Sequence, residues 1–414
     1  MASTKISFTP SGAGNLNKWT ISLWLKRAKI GVEQVIASCY ENSNYQTQIK
    51  FETDDQLYFN DEQNGNTNGR IVSNAKYRDT NAWYHMVFIW DKDNSTSGDK
   101  LRMYVNGERI TSFSDTGNAP SASSTWNVNG QAMQFGAKVT SDYFNGVMSH
   151  IHFCDGYSYE PTEFGETDST TGEWKIKTSP SVSYGTNGYF WLKDNVATTD
   201  NSPNSNTFTA SGTLTKTEDC PSNVFNNFNN LIPVPSSSYS NGNTKAVDGA
   251  GAHKAFYGSL GFSSGKYYWE AKAVGGSKYT IGLSDVENYI NYTQVANTNV
   301  IIGESSNSYG SGDAIGWYYN DINKNGSNIA SGIHTIVTND IMMVAVDADA
   351  GKIYYGLNGT WRVANSTTFN ASSNDTTFTT GKTYTPAFSA ESCGWEVNFG
   401  NGYFGTTAVS SAGT

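Results

Sequence analysis

A chain of 414 residues is long enough for two or three domains, each burying its own core. Aromatic residues at 14%, against charged residues at 15%, exclude a disordered chain, and the Gly-, Asn-, Ser- and Thr-rich remainder favours short strands and turns over helices. A formal charge of −10, with no cluster of Lys and Arg, excludes a phosphate-backbone partner and a polybasic membrane patch, so neither nucleic acid nor membrane insertion is expected.

The longest apolar runs, such as Ile341 to Val346, are far too short to span a bilayer. The stretch Met1-Ala2-Ser3-Thr4-Lys5 lacks the apolar centre of a secretory signal, so export by the usual route is not expected. Cys39, Cys154, Cys220 and Cys393 lie far apart and form no CxxC pair, and they read as free thiols. Sequons such as Asn94-Ser95-Thr96 are common by chance in so Asn/Ser/Thr-rich a chain.

In chain order, Trp19 to Leu25 alternates large apolar and small polar residues, the period-2 pattern of a half-buried strand. Trp83 to Trp90 is denser and reads as a central strand. Leu101 to Val105 runs into Asn106-Gly107 and out through Arg109-Ile110, which predicts a hairpin with a type I′ turn. Tyr143 to Phe153 is a further strand, followed by a turn or helical corner at Glu160 to Phe164. From Gly165 to Val234 the periodicity weakens, and polar turns with scattered aromatics predict a connector lying on its neighbours. Strands resume at Tyr267 to Val274, Lys278 to Leu283, Ile341 to Val346, Ile353 to Leu357 (closed by a second Asn-Gly, Asn358-Gly359) and Gly394 to Gly400. No convincing helical stripe appears, so the class is all-β, a sandwich or barrel.

The first segment resembles a laminin-G-like jelly roll of the concanavalin A-like lectin/glucanase superfamily. The matching pieces are Trp19 to Arg27, Ala82-Trp83-Tyr84-His85 and Tyr104-Val105-Asn106-Gly107. Phe144-Asn145-Gly146 through Gly156, with Phe164 to Asp168, is similar to a version found in structural proteins of marine bacteriophages. The segment from about Ser236 to Phe404 resembles a SPRY domain, on Gly265 to Glu270, Tyr279 to Ser284, Asp340 to Asp347, Gly351 to Tyr355, Asn358 to Trp361, Tyr384 to Ala387 and Val397 to Gly400. Cys220-Pro221-Ser222-Asn223 with Phe228 to Leu231 is similar to the join between such modules in phage proteins. The order of these motifs on one chain is the specific part.

The resemblance implies two tandem concanavalin A-like jelly-roll sandwiches with an irregular connector: 1–165 laminin-G-like, 166–235 connector, 236–405 SPRY-like and 406–414 tail. It also implies a non-enzymatic virion structural protein, a tail-fibre or appendage component assembled in the host cytoplasm. Its partners would be other virion proteins and a host-surface glycan or protein, and by family analogy it would be a symmetric homo-oligomer, a trimer for example. The first module begins almost at Met1 with no preceding coiled coil, which favours a short appendage. Two alternatives stand beside this reading: a polysaccharide-cleaving tail enzyme, and a purely architectural decoration protein of capsid or tail.

The chemistry-bearing residues discriminate only partly. Glucanases of the superfamily set Glu-x-Asp and a further Glu on one strand face. Glu52-Thr53-Asp54 and Glu166-Thr167-Asp168 begin that pattern, but neither is followed by the last acid, so no catalytic residue is assigned. His150 and His152, two apart on a strand, share a face without an evident third metal ligand. Asp321, Asn323 and Asn325 resemble the start of an EF-hand loop and are the calcium candidates, although Gly332 stands where the bidentate Glu belongs. Exposed aromatics are natural glycan contacts, since a flat ring stacks on the apolar face of a sugar. Trp126 with Asn127 and Asn129, and Trp317, Tyr318 and Tyr319, are the ligand-binding candidates.

Overall fold

The computed structural model describes residues 4–193, 198–232, 234–249, 251–287, 300–304, 313–362, 375–405 and 407–409. Alternation along Lys18–Arg27 sets the plan of the first half. Trp19, Ile21, Leu23 and Leu25 point inward to the main core, and Ser22 and Trp24 point to the opposite face. The strand lies between Gly146–Asp155 and Trp83–Asp91 in an antiparallel six-stranded sheet. Its order is Tyr189–Trp191, Gly146–Asp155, Lys18–Arg27, Trp83–Asp91, Leu101–Val105, Glu108–Arg109.

Across the core stands an eight-stranded antiparallel sheet. Its order is Phe113–Thr116, Asn66–Lys76, Gln56–Gln63, Tyr45–Phe51, Gln34–Asn42, Met133–Phe135, Lys5–Phe8, Thr209–Ser211. Trp19 and Trp90 stack at 6.2 Å between the sheets, ringed by Phe59, Trp126 and Phe153. The Asn106-Gly107 turn forms as expected, with φ of 50° and 83°. The corner at Pro161–Glu163 is one turn of 3-10 helix.

Period-2 alternation predicts Trp19 to Leu25 as half-buried, yet every residue of Lys18–Arg27 apart from Lys18 is buried. The cause is the chain from Tyr159 to Tyr184, which lies across the outer face of the six-stranded sheet. Phe164, Tyr159, Val182 and Tyr184 pack there on Val87, Ile89, Tyr104 and Cys154. A short hairpin, Gly165–Thr167 with Trp174–Ile176, delivers Trp174 onto the same face. Much of the expected connector is therefore built into the first sandwich: Tyr189–Trp191 extends one sheet and Thr209–Ser211 the other. The chain divides into compact units of residues 1–216 with 220–224, and 217–219 with 225–414.

The second unit repeats the logic. One sheet runs Ser237–Ser240, Lys245–Asp248, Gly394–Asn398, Lys266–Val274, Ile341–Asp347, Lys352–Leu357, Thr360–Trp361, with Thr376–Thr377 also on Lys352–Leu357. The other runs Lys254–Tyr257, Tyr384–Ala390, Tyr279–Asp285, Ala314–Tyr318, Asp321–Lys324, Ser327–Ala330. Trp269, Trp317, Tyr355, Phe388 and Trp395 fill the space between, joined by Phe228 from the expected connector. Of the expected tail, Thr407–Ala408 pairs with Tyr403–Phe404, and positions 406 and 410–414 lie outside the described residues. No helix among the described residues is long and apolar enough to cross a membrane.

Candidate functional site

Two hairpins of the eight-stranded sheet, 42–45 and 63–66, turn at the same end of the first sandwich. The loop from 121 to 131 crosses beside them and, with Leu16, encloses a cleft of about 270 Å³. That volume falls just below the range for drug-sized ligands, roughly 300–1,000 Å³. Leu16, Tyr45 and Val128 supply its apolar walls, and Glu41, Gln63 and Gln131 its polar groups.

The buried carboxylate of Asp61 fixes the loop to the sheet. It accepts from Thr47 Oγ1 (2.7 Å), Thr125 N (2.7 Å), Thr125 Oγ1 (2.9 Å), Ser124 Oγ (3.1 Å) and Asn68 Nδ2 (2.8 Å). Burial pushes this carboxyl up from its ordinary range, and the hydrogen bonds oppose that shift. Asn68 Oδ1 accepts from the backbone N–H groups of Ser121 and Ala122, and Gln63 Nε2 donates to Ser123 O. The cleft wall is thus a loop with most of its conformational freedom already removed.

The expected ligand residues of this loop divide. Trp126 is fully buried against Trp19, Phe135 and Phe153 and belongs to the core. Asn127, at φ 71°, is buried too: its Nδ2 donates to Asp155 Oδ1 (2.9 Å) and its Oδ1 accepts from Asn187 Nδ2 (2.9 Å). Only Asn129 is exposed, at the loop tip. The aromatic residue that marks this loop in sequence points inward. Leu16, Tyr45, Gln63 and Gln131 come from separate hairpins and loops, and no single stretch of sequence announces them.

Cys39 lies in the wall of the cleft, where burial pushes its thiol up to about 12, so it is neutral and unreactive at neutral pH. The carboxylates of the neighbouring sheet face are engaged. Lys50 bridges Glu33 and Glu52 at 3.0 and 3.1 Å, Gln46 Nε2 donates to Glu62 (2.6 Å), and Arg70 pairs with Asp115 (2.9 Å). Glu52 and Asp54 sit in the tight turn between Tyr45–Phe51 and Gln56–Gln63, not on alternate positions of one strand, and Asp54 pairs with Lys76. Glu166 and Asp168 both meet Lys175.

The two strand histidines do not form a metal-binding face. A register shift between Ser149 and His152 puts His150 at φ 47°, its Nδ1 2.7 Å from Ser149 Oγ. His152 stacks on Phe190 and meets Tyr184 Oη at 2.9 Å through Nδ1. Among the described residues no group of three or more His, Cys, Asp or Glu gathers as a metal site. The calcium candidates are a β-hairpin: Asp321–Lys324 pairs with Ser327–Ala330 around Asn325-Gly326, at φ 49° and 82°. Asn325 is used within the fold, accepting from Ala314 N and donating to Asp313, while Asn323 is buried on a strand. The Asx-rich spacing that imitates a calcium loop is here turn chemistry.

In the second unit Trp317 is core, donating from Nε1 to Tyr319 O (3.2 Å) and His334 O (3.1 Å). Tyr318 is half-buried with Oη 3.4 Å from His253 Nε2, and Tyr319 is exposed. Glu391 meets His253 at 3.2 Å and Lys278 at 2.6 Å.

Comparison with known proteins finds a likeness in the first part of the chain. Residues 2–163 match the laminin-G profile of the concanavalin A-like lectin/glucanases superfamily. A search of curated protein sequences finds no match. Among solved structures, domains LG4-5 of the mouse laminin alpha1 chain are similar at 9% identity, covering 100% of this chain and 92% of that one, with a TM-score of 0.32. The SPRY domain of human HERC1 is similar at 15% identity, covering 42% of this chain and 98% of that one, with a TM-score of 0.30. A SAP-like pentraxin from Limulus polyphemus is similar at 17% identity, covering 38% and 78%, with a TM-score of 0.26. The described residues form an all-β protein of several sandwich sheets, and residues 2–163 match the laminin-G profile of the concanavalin A-like superfamily.

Proposed function

We propose that this chain is a non-catalytic binding protein of a bacteriophage virion, part of a tail fibre or similar appendage, and that the first sandwich holds a host-surface glycan in its end cleft. The observation that carries the binding reading is the cleft itself. Apolar walls from Leu16, Tyr45 and Val128 face amides from Gln63 and Gln131 and one carboxylate, Glu41, and Asp61 fixes the loop that carries Val128 and Gln131. That combination suits a ligand with apolar faces and hydroxyl edges. Glycoside hydrolysis ordinarily needs two carboxyl groups about 5–9.5 Å apart. Glu41 is the one carboxylate among the lining residues, and the thiol beside it is held neutral.

The virion role rests on the likeness of the motif order to phage structural proteins. In that setting the chain is made in the host cytoplasm, docks on other virion proteins and works as a symmetric oligomer, a trimer by analogy. The test is adsorption. Purified protein added to host cells is expected to compete with virions for the surface, and Tyr45→Ala with Gln131→Ala is expected to lose that competition while keeping the unfolding midpoint. New reducing ends appearing in host polysaccharide incubated with the protein would overturn the non-catalytic reading.

A further inference from the structure

Among the described residues, four hairpins are closed by the same two-residue turn, while Asn42 and Tyr45 are joined by Ser43-Asn44 with neither residue at positive φ. The pairs Gln63 and Asn66, Val105 and Glu108, Lys324 and Ser327, and Leu357 and Thr360 are each joined by a two-residue Asn-Gly loop. The asparagines lie at φ between 49° and 52°, and the glycines between 72° and 85°. These are the residues that accept a left-handed backbone at little cost. The pair Tyr318 and Asp321 is likewise joined by two residues, but they are Tyr319 and Asn320, and Tyr319 stands at φ 57°. A bulky side chain there costs on the order of 1–2 kcal/mol relative to glycine.

What holds the position is backbone: Tyr319 N donates to Tyr279 O at 3.4 Å, and Tyr319 O accepts from Trp317 Nε1 at 3.2 Å and Ile336 N at 3.3 Å. Glycine would make all three bonds. The ring itself is 43% exposed, and its aromatic neighbour is Tyr318, at 5.9 Å and 50°. A chain of polar groups leads away from Tyr318. Tyr318 Oη lies near His253, whose Nε2 meets Glu391 Oε2, and Glu391 Oε1 receives Lys278 Nζ at 2.6 Å. Lys278 directly precedes Tyr279, whose carbonyl receives the Tyr319 N–H, so this ion pair stands beside the turn.

We propose that Tyr319, with Tyr318, Lys278 and Glu391, is a carbohydrate-binding platform on the second unit, independent of the cleft in the first. A pyranose stacks its apolar face on the outward ring of Tyr319, and its hydroxyls exchange hydrogen bonds with the Lys278–Glu391 pair. A protein partner fits less well, because one ring beside an ion pair falls far short of the roughly 800 Å² per partner that a stable interface buries. The strained backbone is then the cost of presenting the ring, a stability penalty retained at a working site.

The test uses the full chain on an array of bacterial surface oligosaccharides, with the unfolding midpoint of the second unit read in parallel by hydrogen exchange. Tyr319→Gly is expected to weaken its glycan hits about tenfold or more. The midpoint should stay level or rise, because the strain is released. Tyr319→Phe is expected to keep both, and Tyr45→Ala in the first unit to leave these hits intact. A lowered midpoint for Tyr319→Gly would show that the ring serves folding and would overturn the proposal. So would an array without hits for the wild-type chain, hits indifferent to Tyr319→Gly, or a protein ligand that alone depends on the ring.

Discussion

His85 occupies the middle of the outer face of the six-stranded sheet, with Trp24 stacked on it at 4.8 Å and Trp174 at 5.8 Å. Trp174 Nε1 donates to His85 Nδ1 at 3.0 Å, which fixes the tautomer: the ring carries its proton on Nε2 and donates it to Ser22 Oγ at 2.9 Å. Complete burial pushes the imidazole down to about 3, against about 6.5 in an unfolded chain. Between those values the unfolded chain binds a proton that the folded chain refuses, so stability is full above pH 6.5 and falls as pH drops toward 3. Integrated from pH 7, the loss from this one residue is about 2 kcal/mol at pH 5 and about 3 kcal/mol at pH 4. His152, pushed well down by burial, acts in the same direction, and Asp61, pushed up, acts in the opposite one. The decisive quantity is therefore the difference between wild type and His85→Asn, which keeps an acceptor for Trp174 and cannot titrate. We expect the variant to be less stable at pH 7 and the gap to narrow by about 2 kcal/mol by pH 5. Hydrogen exchange of amides in Trp83–Asp91, measured at both pH values, confines the readout to the first unit. A gap that stays constant with pH would show that His85 is not held neutral in the fold and would refute the reasoning.

Two further outcomes follow from buried polar groups. Arg27, fully buried, pairs with Asp55 at 3.0 Å, donates to Tyr77 O and lies over the Phe51 ring, while Asp55 also receives Arg78 and Gly31 N. Arg27→Ala is expected to cost about 3–5 kcal/mol in chemical denaturation, because it leaves Asp55 buried with half its compensation. Burial raises the Asp55 carboxyl, but Gly31 N–H, Arg78 and Arg27 outweigh it and hold the group below the usual range. Its contribution is thus present above about pH 3.9 and lost as pH falls through the folded value, so the acid-unfolding midpoint of Arg27→Ala should move up. Asp61→Asn sets an amide against donors that a carboxylate accepted. It should cost about 1–3 kcal/mol and speed amide exchange at Thr125, with loss of any ligand held in the cleft; unchanged exchange at Thr125 would contradict the anchoring role.

The strands were legible where one physical rule acted alone. Trp19 to Leu25 shows its inward face by alternation, and Asn106-Gly107 and Asn358-Gly359 show their turns because few residue pairs accept those φ values. The covering of the outer face was not legible, because alternation reports that Ser22, Trp24 and His85 share a side but not what packs on it. The segment that does so, from Tyr159 to Tyr184, pairs only in a short hairpin and so carries little periodic signal. At the candidate sites composition misled in two ways. Trp126 is an aromatic in a polar loop, yet the loop is bent so that the ring enters the core and the residues beside it form the cleft. Asp321, Asn323 and Asn325 have the residue types of a calcium loop, but strand pairing on both sides of Asn325-Gly326 had prior claim on that backbone. Tyr319 was legible as an aromatic near a polar turn; its left-handed backbone was not.

The segment laid across the six-stranded sheet also fixes where this molecule can be cut. The stretch that matches the superfamily ends at residue 163, but the folding unit does not. A fragment stopping there would bare Val87, Ile89, Tyr104 and Cys154 and strip His85 of its Trp174 partner. It would also leave two sheet edges without Tyr189–Trp191 and Thr209–Ser211. Open edges beside an uncovered apolar face invite self-association. The smallest piece of the first sandwich to be expressed alone therefore extends past Ser211, about fifty residues beyond the border that sequence similarity draws.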